Sequence, residues 1–357
     1  MRDLLIATIV FGLLPFVLKR PFWGILLLAW LGYMNPHRLC YGFMLSFPVV
    51  QTVALVTMAG MMMSKEEKRL VWSREMSVLA LLIFWMGITT TQAFYVDLAT
   101  EQYIKVIKIQ VLTFMTLLML TSRQKIDMLV WAIVLSLGFY GLKGGIFTIA
   151  NGGSFRVQGP EGTFIAGNNE LALALAMTIP LLRYLQLQSR NKLVKLGLAG
   201  GMLLTALAAI GSQSRGALVA LLLMGTIFWL KSRKKLATAV MILIAASLVA
   251  TLMPESWYER MATINTYDQD ASALGRINAW WAAFHLANAR FFGGGFETWQ
   301  AGMFALYGPD PENVRAPHSI YFQVLGEHGW LGLAIFMTLI ALTWAKCSAV
   351  VRLAKKR

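Results

Sequence analysis

Three side chains in non-apolar segments have the types that phosphate binding and proton transfer require. Arg215 lies in the short turn Ser212–Gly216 between two apolar runs. Arg276 lies at the start of a predicted helix, and His318 lies where a long polar stretch returns to apolar sequence. A guanidinium can bind phosphate through two parallel hydrogen bonds, and an imidazole can accept a proton near neutral pH. These residues are therefore our candidates for chemistry.

Each candidate also has a structural alternative that local sequence leaves open. Arg215 could be an arginine that extends from a helix end toward the membrane interface. Arg276 could be a solvated helix residue, and a lone histidine such as His318 is more often structural than catalytic. We interpret the remaining histidines as structural: His37, His285 and His328.

Further cations lie on the predicted outer side or inside spans. Lys143 stands among glycines in Gly141–Gly145 and interrupts an apolar run, which predicts a broken helix at a site of function. The other cations of this kind are Arg156, Lys105 and Lys108.

The composition indicates the class of protein that positions these residues. Of the 357 residues, 57% are hydrophobic and 14% are charged, with a mean hydropathy of +0.61, whereas soluble domains have roughly 25% charged residues. Apolar runs such as 4–18 and 217–230 approach the ~20 residues that a helix needs to cross a bilayer. Backbone in lipid must be helical or closed in a barrel, and runs this uniformly apolar exclude a barrel. We therefore predict an all-α, polytopic integral membrane protein.

The net charge of +15 indicates topology rather than a nucleic-acid partner. Twenty of the 32 basic residues lie in six short clusters, and all six fall on one side if the chain crosses twice between successive clusters. This is the positive-inside pattern, and it places the C-terminus in the cytoplasm. The clusters lie in 19–20, 65–74, 123–125, 190–195, 231–235 and 346–357.

Alternation between these clusters predicts about 11 transmembrane helices, within a range of roughly 10 to 12. The chain has no internal repeat and no low-complexity linker, so we interpret residues 1–357 as a single transmembrane domain. The predicted spans are 4–18, 22–33, 47–63, 77–94, 104–121, 127–150, 170–187, 194–211, 216–230, 236–253 and a last one within 319–346.

One long loop, Pro254–His318, interrupts this pattern. It contains seven of the 17 acidic residues and four of the 32 basic ones, so its local charge is −3. The alternation of spans predicts that this loop is periplasmic. Asp270 or Ser272 is a candidate cap for a helix from about Ala273 to Ala289 within it.

The predicted loop helix has an amphipathic pattern. Arg276, Trp280 and Phe284 recur at intervals of four residues, which places them on one face of a helix. Trp281 and His285 each follow one residue later and lie beside that face. Such a segment can lie on the outer membrane surface, where it would cover a cavity.

Other chemistries have little support in the sequence. The chain has no zinc-protease, nucleotide-binding or serine-hydrolase motif. Its two cysteines, Cys40 and Cys347, lie far apart, which argues against a disulfide framework or a cysteine metal site. We predict neither a metal nor a cofactor.

The candidate residues belong to motifs that form a larger pattern. Asn168–Ala172 contains the pattern N-x-x-A at the start of a span. The other motifs are Ser214-Arg215-Gly216, Gly275-Arg276 with Trp280, and His318 followed by Tyr321, Gln323, Leu325, Glu327, Gly329, Gly332 and Leu333. The pattern resembles that of the O-antigen ligase and polymerase superfamily of membrane glycosyltransferases. Many members of that superfamily have asparagine where this chain has Ser319, so the resemblance extends to the histidine but not to an amide beside it.

The N-terminal segment resembles a narrower group. Its motifs lie in Met1–Leu4, Arg20–Phe22 and Tyr33–Arg38. They are similar to the putative O-glycosylation ligases associated with the exosortase A system.

The resemblance implies transfer of a preassembled glycan from undecaprenyl diphosphate to a hydroxyl of a protein, lipid or glycan acceptor. The reaction would take place at the periplasmic face of the bacterial inner membrane. In this interpretation Arg215 and Arg276 bind the diphosphate leaving group, and His318 is the base in a direct, inverting attack. A diphosphate is a good leaving group, so no metal is required. The remaining candidate residues of the substrate site are Arg156, Asn168, Lys105, Lys143, Trp280 and Tyr321.

Two alternative functions remain open. A polymerase of the same superfamily would join lipid-linked repeat units and would need the same donor site. A transporter or flippase of lipid-linked glycan predicts inverted repeats and charges at the centre of several spans. The chain shows no such repeat, and Lys143 is its main candidate for a deeply placed charge.

Overall fold

The computed structural model describes residues 1–232, 234–262 and 271–356, and it contains helices but no strand in these ranges. The predicted all-α class is confirmed. A short 3₁₀ helix, Pro36–Leu39, accompanies fifteen α-helices in the described ranges. These are α1 Arg2–Lys19, α2 Pro21–Tyr33, α3 Phe43–Ser46, α4 Val49–Met63, α5 Arg74–Thr91, α6 Val96–Met119, α7 Arg123–Ala150, α8 Asn168–Gln188, α9 Lys192–Gly211, α10 Arg215–Lys231, α11 Lys235–Leu252, α12 Glu255–Ala262, α13 Ala271–Ala289, α14 Ala301–Tyr307 and α15 Ile320–Lys356.

Five described helices are long and apolar enough to cross a membrane: α6, α7, α8, α9 and α15. Shorter apolar helices include α2, α4 and the part of α11 from Thr238 to Leu252. This composition is consistent with a polytopic membrane protein. A helix lies at every predicted span, and the number of helices that cross the membrane, about 11 by the positive-inside pattern, stays a prediction.

The helices group into two compact units that each contain separate parts of the chain. The first unit comprises Met1–Arg69 and Met115–Ile264, and the second comprises Leu70–Phe114 and Asn265–Arg357. This division does not test the interpretation of residues 1–357 as one transmembrane domain, which stays a prediction.

The first unit is built around close packing of α7 against α9. A Cβ at Gly141 would lie 2.3 Å from the hydroxyl oxygen of Thr205, and a Cβ at Gly145 would lie 2.4 Å from the carbonyl oxygen of Leu204. Only glycine permits such an approach of two helix backbones. A core of buried residues from α7, α8, α9 and the loop before α8 lies beside this contact: Tyr140, Val157, Leu171, Leu175, Ala208 and Ala209.

This packing corrects the prediction of a broken helix at Lys143. Helix α7 is continuous from Arg123 to Ala150, and the Lys143 side chain is exposed. The neighbouring residues Gly141, Gly144 and Gly145 are buried. The glycines therefore serve helix packing, and they do not mark an interruption of the backbone.

In the second unit, α15 packs against both α5 and α13. Helix α13 ends at Ala289 as predicted, and its described part runs from Ala271. Ser272 is therefore inside the helix rather than its cap, while Asp270 lies outside the described residues.

Small residues form most of the buried face of α13. Trp281 is 52% exposed and Phe284 is 37% exposed. Small side chains fit a close contact better than aromatic rings, and a Cβ at Gly326 of α15 would lie 3.4 Å from the Cβ of Ala283. The location of α13 on a membrane surface stays a prediction. Its buried residues are Gly275, Asn278, Ala279, Ala282, Ala283, Leu286 and Ala287.

The α7–α9 contact can be tested with two glycine substitutions on the same helix. Gly145→Ala places a methyl group against the backbone of α9, so we expect a loss of roughly 1–3 kcal/mol in the free energy of unfolding. Gly138→Ala is the matched control because a Cβ there would meet no atom within 4 Å. The free energy of unfolding of the control should equal that of the wild type or exceed it by up to about 1 kcal/mol, because alanine favours the helical conformation more than glycine does. Thermal unfolding in detergent measures both, and equal stability of the two variants would contradict the close contact.

Candidate functional site

The turn between α9 and α10 contains the first predicted site residue. Ser212, Gln213 and Ser214 are all buried, and Gln213 has φ 56° in the left-handed region. The Ser214 side-chain oxygen accepts a hydrogen bond from the backbone N–H of Ala217 at 3.3 Å and so caps α10. Arg215 is the first residue of α10 and is half-buried. Arg215 therefore lies at a helix N-terminus, where the helix dipole favours an anion.

Amide side chains hold this turn against the loop before α8. The Gln213 side-chain oxygen accepts a hydrogen bond from Nε of Arg156 at 3.2 Å, and its nitrogen donates to the carbonyl oxygen of Gly153 at 3.1 Å. The Asn168 amide donates to the carbonyl oxygen of Ser212 at 2.9 Å. The structure thus brings three predicted residues, Arg156, Asn168 and Arg215, to one turn of the first unit.

The two lysines of the predicted site have a different setting. Lys143 is exposed on α7 in the first unit, and Lys105 is exposed on α6 in the second unit. The hydrogen bonds and ion pairs described for this structure do not connect either lysine to another predicted residue. Their role in a substrate site stays a prediction.

In the second unit, Arg276 is half-buried in the first turns of α13. Its Nε is buried and has no hydrogen-bond partner among the described residues. A buried donor of this kind costs free energy unless a partner binds it. The Nε–H of Arg276 is therefore a buried donor that no described residue pairs.

Two side chains of α13 hold the segment that leads to His318. The Asn278 amide nitrogen donates to the carbonyl oxygens of Asp310 at 2.8 Å and Asn313 at 3.0 Å, and its oxygen accepts from the Asp310 N–H at 2.9 Å. Trp280 donates from Nε1 to the carbonyl oxygen of Pro317 at 2.8 Å. The segment 310–317 is thus tethered along the part of α13 that carries Arg276.

Aromatic packing completes the position of His318. Trp280 stacks on Phe322 of α15, with ring centroids 5.0 Å apart and an interplanar angle of 8°. His318 is exposed and has φ 46°. Non-glycine residues adopt this region rarely, and such strain is common at active sites. Tyr321, 50% exposed, follows on the first turn of α15.

Arg315 is a neighbour of this cluster that the sequence did not single out. Its Cδ would lie 2.4 Å from a Cβ at Gly275, and its Nε would lie 2.9 Å from it. Gly275 therefore permits Arg315 to lie directly beside the start of α13. One signal was available in the sequence, because Arg315 is the single basic residue in the segment 291–317 that leads to His318.

Helix α15 is broken at Gly329, which has φ 68° and ψ −174°. The carbonyl oxygens of Gly326 and Glu327 accept hydrogen bonds from the backbone N–H groups of Gly294 at 2.8 Å and Gly295 at 2.9 Å. The break is therefore paired with the glycine-rich loop after α13. It separates the segment Ile320–His328, which follows His318, from the long remainder of α15.

A buried polar network lies at this break and was also missed from sequence. Glu327 is 4% exposed, and its Oε1 accepts from Nε1 of Trp299 at 3.0 Å and from Nε2 of Gln323 at 3.2 Å. His328 is fully buried, and its Nδ1 lies 2.7 Å from the hydroxyl oxygen of Thr89. The available signal was an acidic residue inside an apolar span, which is expensive unless it has a specific role.

The structural role of the remaining histidines, His37, His285 and His328, stays a prediction. His328 packs on Phe296, with ring centroids 4.6 Å apart. His37 is buried, and this burial, together with the charge of Arg38, lowers the pKa of the His37 imidazole. The Nδ1 of His285 lies 3.0 Å from the carbonyl oxygen of Tyr307.

Comparison with known families defines the class of this protein. Residues 200–337 match the family model described as O-antigen ligase (Wzy_C). This range contains Arg215, Arg276 and His318. The match, together with the apolar helices, supports a membrane protein of the O-antigen ligase and polymerase superfamily.

The N-terminal part of the chain matches a second family model. Residues 1–190 match a family described as of unknown function (DUF5935), and this range is more than half of the chain. The protein therefore belongs to the DUF5935 family, and the region that follows is similar to the O-antigen ligase model. No curated protein and no solved structure matches the chain.

The network at Glu327 can be tested by its effect on stability. Glu327→Leu removes the acceptor of the Trp299 indole N–H in a buried site, so we expect a loss of roughly 1–3 kcal/mol in the free energy of unfolding. Glu327→Gln keeps an oxygen in that place and should lie within about 1 kcal/mol of the wild type. Thermal unfolding in detergent compares the two variants. A Leu variant as stable as the Gln variant would show that the hydrogen bonds contribute nothing.

Proposed function

We propose that this protein is a membrane glycosyltransferase that moves a preassembled glycan from undecaprenyl diphosphate to an acceptor hydroxyl. The reaction takes place at the periplasmic face of the bacterial inner membrane. The match of residues 200–337 to the O-antigen ligase model carries this proposal. The resemblance of the N-terminal segment supports, within this class, the O-glycosylation ligases associated with exosortase A.

The first requirement of this reaction is stabilisation of the leaving diphosphate. Negative charge develops on the diphosphate oxygen as the bond to the anomeric carbon breaks, so preorganised donors lower the barrier. Arg276 meets this requirement in the second unit, because its Nε is buried and has no partner among the described residues. Its planar guanidinium can donate two parallel hydrogen bonds to phosphate oxygens.

Arg215 provides the corresponding group in the first unit. We assign phosphate binding to it because its guanidinium and the N-terminus of α10 both favour an anion. Gln213 and Asn168 hold the backbone of the turn through hydrogen bonds of 2.9–3.1 Å to Ser212 and Gly153. In this proposal they position Arg215 and do not take part in bond breaking.

The second requirement is removal of the proton from the acceptor hydroxyl. His318 is exposed, and its neighbour Pro317 is held by Trp280. The imidazole takes the proton as the acceptor oxygen attacks the anomeric carbon. The carbon–oxygen bond to the diphosphate breaks with its electron pair on the diphosphate, and the configuration inverts in one step without a metal.

The proposed function is tested by the products of the purified protein. The protein is incubated with undecaprenyl diphosphate-linked glycan and with protein, lipid and glycan acceptors, and the products are identified by mass spectrometry. Glycan on an acceptor, with release of undecaprenyl diphosphate, supports the ligase. Longer lipid-linked glycan would establish a polymerase instead, and unchanged donor with every acceptor would contradict both.

The role of His318 is tested by His318→Ala. Without the base we expect transfer to fall by about 10²–10⁴-fold, while the protein remains inserted and folded. His285→Ala is the matched control, since His285 is an exposed histidine of the same unit, and it should keep wild-type transfer. Near-normal transfer by His318→Ala would remove the proposed base.

The roles of the two arginines are tested by Arg215→Gln and Arg276→Gln. Each variant loses a charged donor to the leaving group, so we expect a rate loss of about 10²-fold or more. Arg183→Gln removes an exposed arginine of α8 and should leave the transfer rate unchanged. A Gln variant at position 215 or 276 with the rate of this control would exclude that arginine from phosphate binding.

A further inference from the structure

The side chain of Arg315 lies beside Gly275, the residue that precedes Arg276 in the second unit. Arg315 crosses the position where a Cβ of Gly275 would lie, with its Cδ at 2.4 Å and its Nε at 2.9 Å from that point. Gly275 directly precedes Arg276. The side chain of Arg315 therefore lies against the backbone that carries Arg276.

This arrangement is held by hydrogen bonds to backbone groups. Asn278 makes three hydrogen bonds of 2.8–3.0 Å to the backbone of Asp310 and Asn313. Trp280 holds Pro317 at 2.8 Å. Arg315 lies between these two tethers in the chain, so its position beside α13 is determined on both sides.

Among the described residues, no ion pair connects Arg276 or Arg315 to an acidic side chain. The Asp310 carboxylate instead accepts a hydrogen bond from the backbone N–H of Glu312 at 3.2 Å. Two positive charges on segments that are in contact raise the free energy of the protein, and a bound anion lowers it.

We propose that Arg276 and Arg315 together form a binding site for a diphosphate group, with Arg315 as a binding residue that no family pattern assigns. The inference rests on the proposed function for the identity of the ligand, the diphosphate of the glycan donor. Two guanidinium forks match the several oxygens of a diphosphate better than one fork does. Gly275 is needed in this site because the absence of a Cβ permits the side chain of Arg315 to lie against the backbone of α13.

Binding of diphosphate to the purified full-length protein tests this site. The probes are inorganic diphosphate and undecaprenyl diphosphate in detergent, titrated by calorimetry. Arg315→Gln should bind both probes about tenfold more weakly or worse, since the variant loses a charge-assisted hydrogen bond to the anion. Gly275→Ala should weaken both probes in the same direction, because the methyl group displaces Arg315 without removing its charge.

Arg290→Gln is the matched control in the same unit. Arg290 donates to the carbonyl oxygen of Gln92 at 2.7 Å and lies 4.1 Å from the ring of Phe94. Its loss removes the same charge but should leave the affinity for both probes unchanged. If Arg290→Gln and Arg315→Gln lose the same affinity, the loss is caused by the change in net charge alone, and the proposal is overturned.

The outcomes separate this inference from the proposed function. Wild-type affinity in Arg315→Gln, with weakened binding in Arg276→Gln, would overturn the paired site and leave the glycosyltransferase intact. If Arg315→Gln binds diphosphate more weakly than the wild type, and the wild type transfers no glycan, the paired site is supported and the glycosyltransferase is contradicted. If the wild type binds inorganic diphosphate but not the lipid form, the site exists but the donor is not its ligand.

Discussion

Backbone hydrogen bonding in a strongly apolar chain is the constraint on which this structure depends. Water cannot pair exposed backbone groups at membrane depth, so any break in a helix must find partners inside the protein. The break at Gly329 shows how this is done. The carbonyl oxygens of Gly326 and Glu327 accept from the glycine-rich loop, and that of His328 accepts from Nε1 of Trp85 at 2.9 Å. The short helical segment after His318 can therefore differ in direction from the rest of α15 without leaving carbonyl groups unpaired.

Small residues determine which surfaces of the helices can meet. In the first unit, Gly141 and Gly145 allow the backbones of α7 and α9 to approach. In the second unit, alanines form most of the buried face of α13, and Gly275 leaves room for Arg315. Association of apolar helices in lipid depends on close packing rather than on the exclusion of water. In the second unit, the small residue Gly275 thus also sets the position of the cationic side chain of Arg315.

Amide side chains connect this packing to the candidate chemistry. Asn278 tethers the segment before His318, and Gln213 tethers the turn before Arg215. Each amide both donates and accepts, so it can replace several backbone partners that a loop would otherwise lack. A loop held in this way loses little further freedom when a ligand binds, and this preorganisation favours both binding and catalysis.

The sequence by itself determined the all-α class, the approximate positions of the apolar helices and the candidates Arg215, Arg276 and His318, because hydropathy, charge clusters and short motifs are local signals. The superfamily followed from the same motifs, and the match of residues 200–337 supports it. The sequence did not show that Lys143 lies on an unbroken helix, that alanines rather than aromatic rings form the buried face of α13, or that Arg315 lies beside Gly275. Each of these depends on contacts between residues distant in the chain. Tertiary packing alone decides which face of a helix is covered and which side chain comes to lie beside a glycine.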